Sequence, residues 1–123
     1  MSYITRTGNL AATPKLYEGE RGPYTYARVV VSDRIRDDAG QYTEGPAIGY
    51  DVAVSGNQAV NLVRVAEQSG NIRITFGGRY RVTEYHGEQG TVLQHEVRAE
   101  EIGVSLRGQA VMVDRGEHEQ PIT

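Results

Sequence analysis

The sequence contains no cysteine and no tryptophan, and only one phenylalanine among its 123 residues. Without cysteine there can be no disulfide, no thiolate nucleophile and no cysteine-ligated zinc, and a cytoplasmic location is expected. No apolar run approaches the roughly 20 residues that a membrane-spanning helix needs, and the first residues lack the pattern of a signal peptide. The length suits a single domain. We therefore expect a one-domain cytoplasmic protein without redox chemistry or membrane contact.

Groups that would support catalysis or hold a metal are also scarce. His86, His95 and His118 lie in unrelated contexts, and their spacing matches no metal site. Ser55 lacks the glycine-flanked motif of a strand-turn-helix nucleophile, and Gly77-Gly78 is not followed by the lysine of a phosphate-binding loop. The sequence therefore predicts no catalytic constellation, no metal and no cofactor.

Arginine dominates the basic residues, twelve against the single lysine, Lys15, although the formal net charge is -3. Arginine both contacts phosphates and stacks on bases, which suits a nucleic-acid groove. Part of the negative excess lies near the chain end, at Asp114, Glu117 and Glu119. An arginine-rich composition also follows from a GC-rich genome, so composition alone leaves the ligand open.

Alternating apolar and polar residues, together with 15 glycines, indicate an all-β domain with one helix. The helix is expected from Asn57 to Ala66, with an N-terminal signal at Gly56-Asn57 and a stop at Gly70. The connection 11–24 should be a loop or a short irregular strand. The predicted strands cover residues 3–10, 24–32, 47–55, 71–81 and 91–102.

Three strands, a helix and two further strands follow the order of a five-stranded OB-fold barrel, in which the helix between strands three and four closes one end. Turn residues at 37–40 and 86–90 predict two protruding β-hairpins, and Gly77-Gly78 predicts a bulge. We assign residues 1–107 to this OB-fold domain. Residues 108–123 are expected to form a short, polar, disordered tail.

Arginine and tyrosine alternate on the predicted strands. Arg79 and Arg81 share a face on either side of Tyr80, and Arg34 and Arg36 lie where a hairpin leaves the barrel. Cations that meet phosphates and rings that stack on bases are what sequence-independent single-strand binding requires. The same arginines would also suit solvated edge residues that discourage aggregation, and the pattern does not separate the two interpretations.

The tyrosines divide into core and contact candidates. Tyr50 and Tyr80, on barrel strands, are typical of half-buried core residues. Tyr85 precedes an exposed hairpin tip, which favours a contact role. Tyr24 and Tyr26 share one strand face, and both core and subunit interface are open for them.

Two segments near the chain ends carry a family resemblance: residues 4–14, which contain Gly8-Asn9-Leu10 before Pro14, and residues 100–106. In these segments, and in Arg28-Val29 and the predicted helix, the chain resembles the bacterial single-stranded-DNA-binding proteins, in particular their actinobacterial members. The resemblance implies a homotetramer of OB folds that binds and protects single-stranded DNA in replication, recombination or repair, associated with the nucleoid.

The chain also departs from that family. Its members stack bases on aromatic side chains at several positions, which correspond here to Ile35, Gly49 or the adjacent Tyr50, Ser55 and Tyr85. Because some of these positions lack a ring, and stacking contributes about 1 to 3 kcal/mol per base, we expect weaker binding or a greater dependence on phosphate contacts. The acidic tip that recruits partners in replication-type members is missing, as expected of a phage or plasmid paralogue or a trimmed chain, and recruitment of repair proteins is not expected.

Two hypotheses follow for the function. In the first, the chain binds single-stranded DNA without sequence preference. In the second, favoured by the missing rings and the acidic net charge, it is a protein-interaction module or divergent subunit with weak or lost DNA binding. Stacking and phosphate contacts do not separate DNA from RNA. The candidate contact residues are Arg28, Arg34, Ile35, Arg36, Tyr50, Arg79, Arg81 and Tyr85, with Lys15 and Arg73 as groove-edge cations.

Overall fold

Six strands and one helix follow one another in the computed structural model, which describes residues 2–115. They are β1 (Ser2–Leu10), β2 (Tyr17–Gly19), β3 (Gly22–Arg36), β4 (Tyr42–Ser55), α1 (Asn57–Ser69), β5 (Arg73–Gly87) and β6 (Gly90–Val104). The strands form one sheet in the order β1-β5-β6-β4-β3-β2, and β1 also pairs with β3. This last pairing closes the five long strands into a barrel. The predicted OB-fold is confirmed, and β2 is the short strand expected in the first connection.

The barrel closes where β1 passes from β5 to β3. β1 pairs with β5 from Ser2 to Asn9, and its last two residues, Asn9 and Leu10, also pair with β3. A β-carbon on Gly8 would overlap the carbonyl of Val30 and lie 2.8 Å from Cγ2 of Val31. The glycine of the Gly8-Asn9-Leu10 segment is therefore needed for the close approach of β1 to β3.

The core follows from the strict alternation of the strands. Val29, Val52, Ile74, Phe76 and Val97 point into the barrel and are at most 1% exposed. Alternate residues of the same strands point outward, because successive side chains of a strand lie on opposite faces. The pattern thus decides which residues are available on the barrel surface.

Helix α1 lies between β4 and β5, which are the third and fourth long strands, as predicted. It begins after Gly56, which has a φ of 71° and provides no side-chain cap, and it ends at Gly70, whose N–H donates to the carbonyl of Ala66 at 2.9 Å. The face that it buries consists of Ala59, Leu62, Val63 and Ala66.

Two hairpins extend from the barrel, as the turn residues predicted. We call them the β3–β4 arm, beyond the pair Ser32 and Ala47, and the β5–β6 arm, beyond the pair Val82 and His95. β4 starts at Tyr42 and runs through Gly45-Pro46, whereas the prediction began after them. The pairing passes Gly45-Pro46 through an irregularity, because the register shifts between Ser32 and Arg34. Gly45 also leaves room for the side chain of Ile35, whose Cδ1 would lie 2.9 Å from a β-carbon there.

The irregularity predicted at Gly77-Gly78 is present, but the extra residue, Glu100, lies on the partner strand β6. The register between β5 and β6 shifts between Gly77 and Gly78. A β-carbon on Gly78 would overlap the carbonyl of Arg98. The close approach of β5 to β6 at this position therefore requires glycine.

After β6, the described chain lies against the barrel. The Gln109 side chain donates to the carbonyl of Arg73 at 2.9 Å, and Arg64 on α1 forms an ion pair with Asp114 at 3.1 Å. The rest of the predicted tail, 116–123, lies outside the described residues, so its expected disorder stays a prediction. Among residues 2–115, no helix is long and apolar enough to cross a membrane.

Candidate nucleic-acid interface

A concave groove with a volume of about 620 Å³ lies on the outer face of β3, β4, β6 and β5. Outward residues of these four strands form most of its lining, because their inward neighbours fill the core, and the buried Val97 also borders it. Its lining residues are Tyr26, Asp51, Ala53, Arg79, Arg81, Gln94, Glu96, Val97 and Arg98.

Strand register arranges part of the groove as a row across the sheet. Tyr26 on β3 is opposite Ala53 on β4, Ala53 is opposite Arg98 on β6, and Arg98 is opposite Arg79 on β5. The sequence left open whether Tyr26 belongs to the core or to a subunit interface; its side chain is 61% exposed, which excludes the core. Arg79 and Arg98 are both exposed, and neither guanidinium forms an ion pair within residues 2–115. We call these four residues the open row.

The neighbouring row consists of paired charges. Arg28, Asp51, Glu96 and Arg81 occupy successive strands in register. The Arg28 guanidinium donates to Oδ1 of Asp51 at 3.0 Å, and the Arg81 guanidinium donates to Oε2 of Glu96 at 3.0 Å. We call these four residues the paired row, because each arginine in it already has a carboxylate partner.

The Glu96 carboxylate has a second donor. The Thr83 hydroxyl donates to Oε1 of Glu96 at 2.7 Å, and this hydrogen bond, followed by that from Arg81, lowers the pKa of the carboxyl. Hydrogen bonds and a nearby cation stabilise the charged form. Glu96 therefore stays ionised at neutral pH and holds Arg81 in place.

Arg28 lies along the surface over a glycine. A β-carbon on Gly49 would be 2.7 Å from the Cζ atom of Arg28. The resemblance implies that a ring position of the family corresponds to Gly49 or to the adjacent Tyr50. Here the planar guanidinium of Arg28 occupies the surface beside Gly49.

The β3–β4 arm carries another arginine cluster. The guanidinium groups of Arg34 and Arg36 lie 6.0 and 5.9 Å from the centre of the Tyr42 ring. Ile35 is 50% exposed. These three predicted contact residues thus lie on the arm, outside the lining of the groove.

Tyr50 lies in the core, as sequence reasoning favoured. Its ring is 4% exposed and packs against Phe76, Tyr80 and His95. Burial raises the pKa of its hydroxyl above the ordinary value, and Arg6 opposes this from 5.7 Å above the ring. Its role as a supporting platform for DNA stays a prediction.

The other candidates occupy separate places. Tyr85 is 62% exposed on the β5–β6 arm, in register with Val92. Because Arg81 and Tyr85 are four residues apart on one strand, Tyr85 extends the groove face along the arm. Lys15 is exposed before β2, and its carbonyl accepts the hydroxyl of Thr25. Arg73 is half-buried at the start of β5, where its N–H donates to Gln109.

Sequence reasoning selected Arg79 and Arg81 but missed most other groove residues, namely Asp51, Ala53, Gln94, Glu96, Val97 and Arg98. Alternation alone places Asp51, Glu96 and Arg98 on an outer face, beside the buried Val52 and Val97. What it lacks is the pairing of β4 with β6, which brings these faces together. Within the described part of the chain, no group of acidic, histidine or cysteine residues is arranged to hold a metal ion.

An OB barrel binds oligonucleotides or oligosaccharides on the face of its second and third strands, flanked by its first and last hairpin loops. In this chain those strands are β3 and β4, and the β5–β6 arm is the last hairpin. The groove lies between them and is lined by arginines and an exposed tyrosine. The fold and the site thus define the class of OB-fold proteins whose binding face combines arginines, two carboxylates and one exposed tyrosine.

Comparison with solved structures makes the class more specific. The chain is similar to a small single-stranded DNA-binding protein from Streptomyces coelicolor, with a TM-score of 0.71 and 25% identity over 86% of this chain and 95% of that one. A deletion mutant of the single-stranded DNA binding protein from Thermus aquaticus shares the fold, with a TM-score of 0.60 and 22% identity over 90% of this chain and 54% of that one. No family model and no curated protein matches the sequence. The structural likeness supports the identification with the single-stranded-DNA-binding protein family that the sequence resembles.

Proposed function

We propose that the chain binds single-stranded DNA without sequence preference, as a binding protein and not as an enzyme. The observation that carries this proposal is the open row, in which Arg79 and Arg98 lie opposite each other and the exposed ring of Tyr26 lies across Ala53 from Arg98. Like charges directly opposite on neighbouring strands destabilise a sheet. A phosphate placed between the two guanidinium groups would replace this repulsion by attraction.

Phosphate contacts dominate in this proposal. The ring positions of the resembled family are taken by Ile35, by Gly49 or the adjacent Tyr50, and by Ser55. Tyr50 is buried, while Tyr85 keeps an exposed ring on the β5–β6 arm. Affinity for single strands then depends on counterion release from phosphates, with a slope of about -0.7 per contact in a plot of log K against log salt. We therefore expect binding that weakens steeply as the salt concentration rises.

The wider role follows the family resemblance. We infer that the protein coats single-stranded DNA during replication, recombination or repair, in the cytoplasm at the nucleoid. In this proposal it acts as a homo-oligomer, with a tetramer as the expected state. Light scattering of the purified chain, with and without oligo-dT, tests the oligomeric part independently of DNA binding.

The paired row favours a second candidate function. Asp51 and Glu96 neutralise Arg28 and Arg81 inside the groove, which reduces its attraction for phosphate. A protein partner with a complementary pattern of charges would be steered to such a surface. In this alternative, the barrel is a protein-interaction module that does not depend on DNA.

A binding titration separates the two candidates. Oligo-dT of graded length is added at low salt, and binding is followed by gel shift and by quenching of tyrosine fluorescence, since no tryptophan obscures the signal. We expect a shift above a minimum length, with quenching, and a loss of affinity as salt is raised. No shift at low salt at any length would reject the proposed function in favour of the interaction module.

A further inference from the structure

Three tyrosines form a continuous wall on one side of the groove. Tyr17 on β2 and Tyr24 on β3 are in register, and their rings stack with centroids 5.4 Å apart and an interplanar angle of 22°. Tyr26, two residues further along β3, contacts Tyr24 edge to face at 5.8 Å. The wall ends in the groove, because Tyr26 is one of its lining residues. We call these three residues the tyrosine wall.

The rings are placed for contact with a ligand and not for the barrel core. Tyr17 is 43% exposed and Tyr26 is 61% exposed, while Tyr24 between them is half-buried. Gly19 leaves the space for the Tyr24 ring, since a β-carbon there would lie 3.0 Å from its Cε1 atom. A base inserted between two rings needs them about 7 Å apart, twice the contact distance of carbon atoms, and both neighbouring pairs of the tyrosine wall are closer than that. Bases would therefore stack on the exposed rings of Tyr17 and Tyr26, and Tyr24 would hold these two rings in position.

Small side chains separate the tyrosine wall from the arginines. Ser55 is opposite Tyr24 on β4, and Ala53 is opposite Tyr26. On the far side of Ala53, β6 carries Arg98. Neighbouring strands are about 4.8 Å apart, so the backbones of Tyr26 and Arg98 are about 10 Å apart. Ala53 fills little of the space above this gap. The space is bounded by the Tyr26 ring on one side and by Arg98 and Arg79 on the other, and we call it the seat.

We propose that this seat holds one nucleotide in a fixed orientation, with its base against Tyr26 above Ala53 and its phosphate on Arg98 and Arg79. Neighbouring bases of the strand continue along the tyrosine wall to Tyr17. This inference rests on the proposed function. It adds that the bases of the DNA lie on the tyrosine side of the groove and the phosphates on the arginine side. The ligand class is a single strand with unpaired bases, because a duplex hides the base faces from the tyrosines.

The inference predicts that rings and arginines recognise different parts of the ligand. Binding is measured for oligo-dT and for a base-free deoxyribose phosphate oligomer of equal length. Tyr26→Leu and Tyr17→Leu should each weaken oligo-dT binding about tenfold and leave binding of the base-free oligomer within about twofold. Arg98→Gln should weaken both ligands, since both carry phosphates.

Two further variants test the seat itself. Ala53→Leu fills it without removing a ring or a charge, and it should weaken oligo-dT binding about as much as Tyr26→Leu. Its matched control is Ala47→Leu, an exposed residue of the same strand at the base of the β3–β4 arm, which does not line the groove. Tyr3→Leu, on the exposed side of β1, is the matched control for the tyrosine variants. Thermal unfolding of every variant establishes that it is folded.

The outcomes distinguish this inference from the proposed function. If wild type binds oligo-dT but the Tyr26 and Tyr17 variants bind it equally well, the orientation is wrong while the proposed function stands. The orientation is also wrong if these variants lose as much affinity for the base-free oligomer as for oligo-dT. If wild type binds no oligo-dT at low salt, both fail together.

Discussion

Replacing Arg98 by glutamine should stabilise the fold and weaken DNA binding at the same time. Arg98 lies directly opposite Arg79 across β6 and β5, and no carboxylate forms an ion pair with either residue within the described range 2–115. Most surface substitutions change stability by less than about 0.5 kcal/mol in either direction. A gain in stability from the loss of one charge would therefore reveal the repulsion between the two guanidinium groups.

The size of both effects follows from the geometry. A cross-strand pair of like charges costs about 0.2 to 1 kcal/mol, which for a chain of this length corresponds to a rise in melting temperature of about 1 to 4 °C. A hydrogen bond to a charged group contributes at least about 1.5 kcal/mol, so loss of one phosphate contact should weaken binding about tenfold or more. The salt slope should become flatter by about 0.7.

The assay combines thermal unfolding at low salt with titrations of oligo-dT at several salt concentrations. Arg107→Gln is the matched control, because it makes the same charge change beyond the end of β6, on an exposed residue that does not line the groove. The control should leave the salt slope unchanged and the melting temperature within about 2 °C.

Two results would refute the reasoning. A lower melting temperature for Arg98→Gln than for the control would mean that the two guanidinium groups do not repel each other in the folded protein. A tenfold loss of affinity with an unchanged salt slope would mean that Arg98 acts without contacting a phosphate.

Three other variants test parts of the same structure. Glu96→Gln removes a carboxyl whose folded pKa is lowered, first by Thr83, from an ordinary value of 4.5. A carboxyl whose pKa is lower in the folded state stabilises the fold above the ordinary pKa, and this stabilisation is lost as the pH falls through the folded pKa. Wild type should therefore lose more free energy of unfolding than the variant when the pH is lowered from 7 to about 3, as measured by urea titration. Phe76→Ala empties a fully buried position and should lower the free energy of unfolding by about 3 to 5 kcal/mol in a urea titration; a loss below about 1 kcal/mol would mean that the barrel repacks. Gly49→Val should displace the Arg28 guanidinium and weaken oligo-dT binding about tenfold with little change in melting temperature, whereas unchanged affinity would exclude Arg28 from the interface.

Much of the fold could be predicted because its signals are local. Alternation defined the five long strands, and Gly56 and Gly70 set the limits of the helix within a few residues. Gly77-Gly78 marked the bulge, since a strand that approaches another backbone closely needs glycine. The limits of β4 were missed because Gly45-Pro46 resembles a turn, whereas the strand runs through it at a register shift between Ser32 and Arg34, where a proline is tolerated.

The candidate site could be predicted only in part. Arg79 and Arg81 were found because both lie on one strand and share a face. Their partners were not, because Glu96 and Arg98 lie on another strand, and a charged residue in a strand carries no sign of what lies opposite. Tyr26 stayed undecided because the face that it shares with Tyr24 carries both the charged Arg28 and the apolar Val30.

The sequence by itself determined the order of the long strands, the alternation of two faces along each strand, and a composition rich in arginine with tyrosine as nearly its only aromatic residue. These properties depend on neighbours along the chain, and a period of two residues suffices to express them. Only the tertiary structure decided that Tyr26, Ala53, Arg98 and Arg79 form one row, while Arg28 and Arg81 are neutralised by carboxylates in the next. The reason is that barrel closure and the parallel pairing of β4 with β6 set the register between distant strands, and register decides which outward side chains meet.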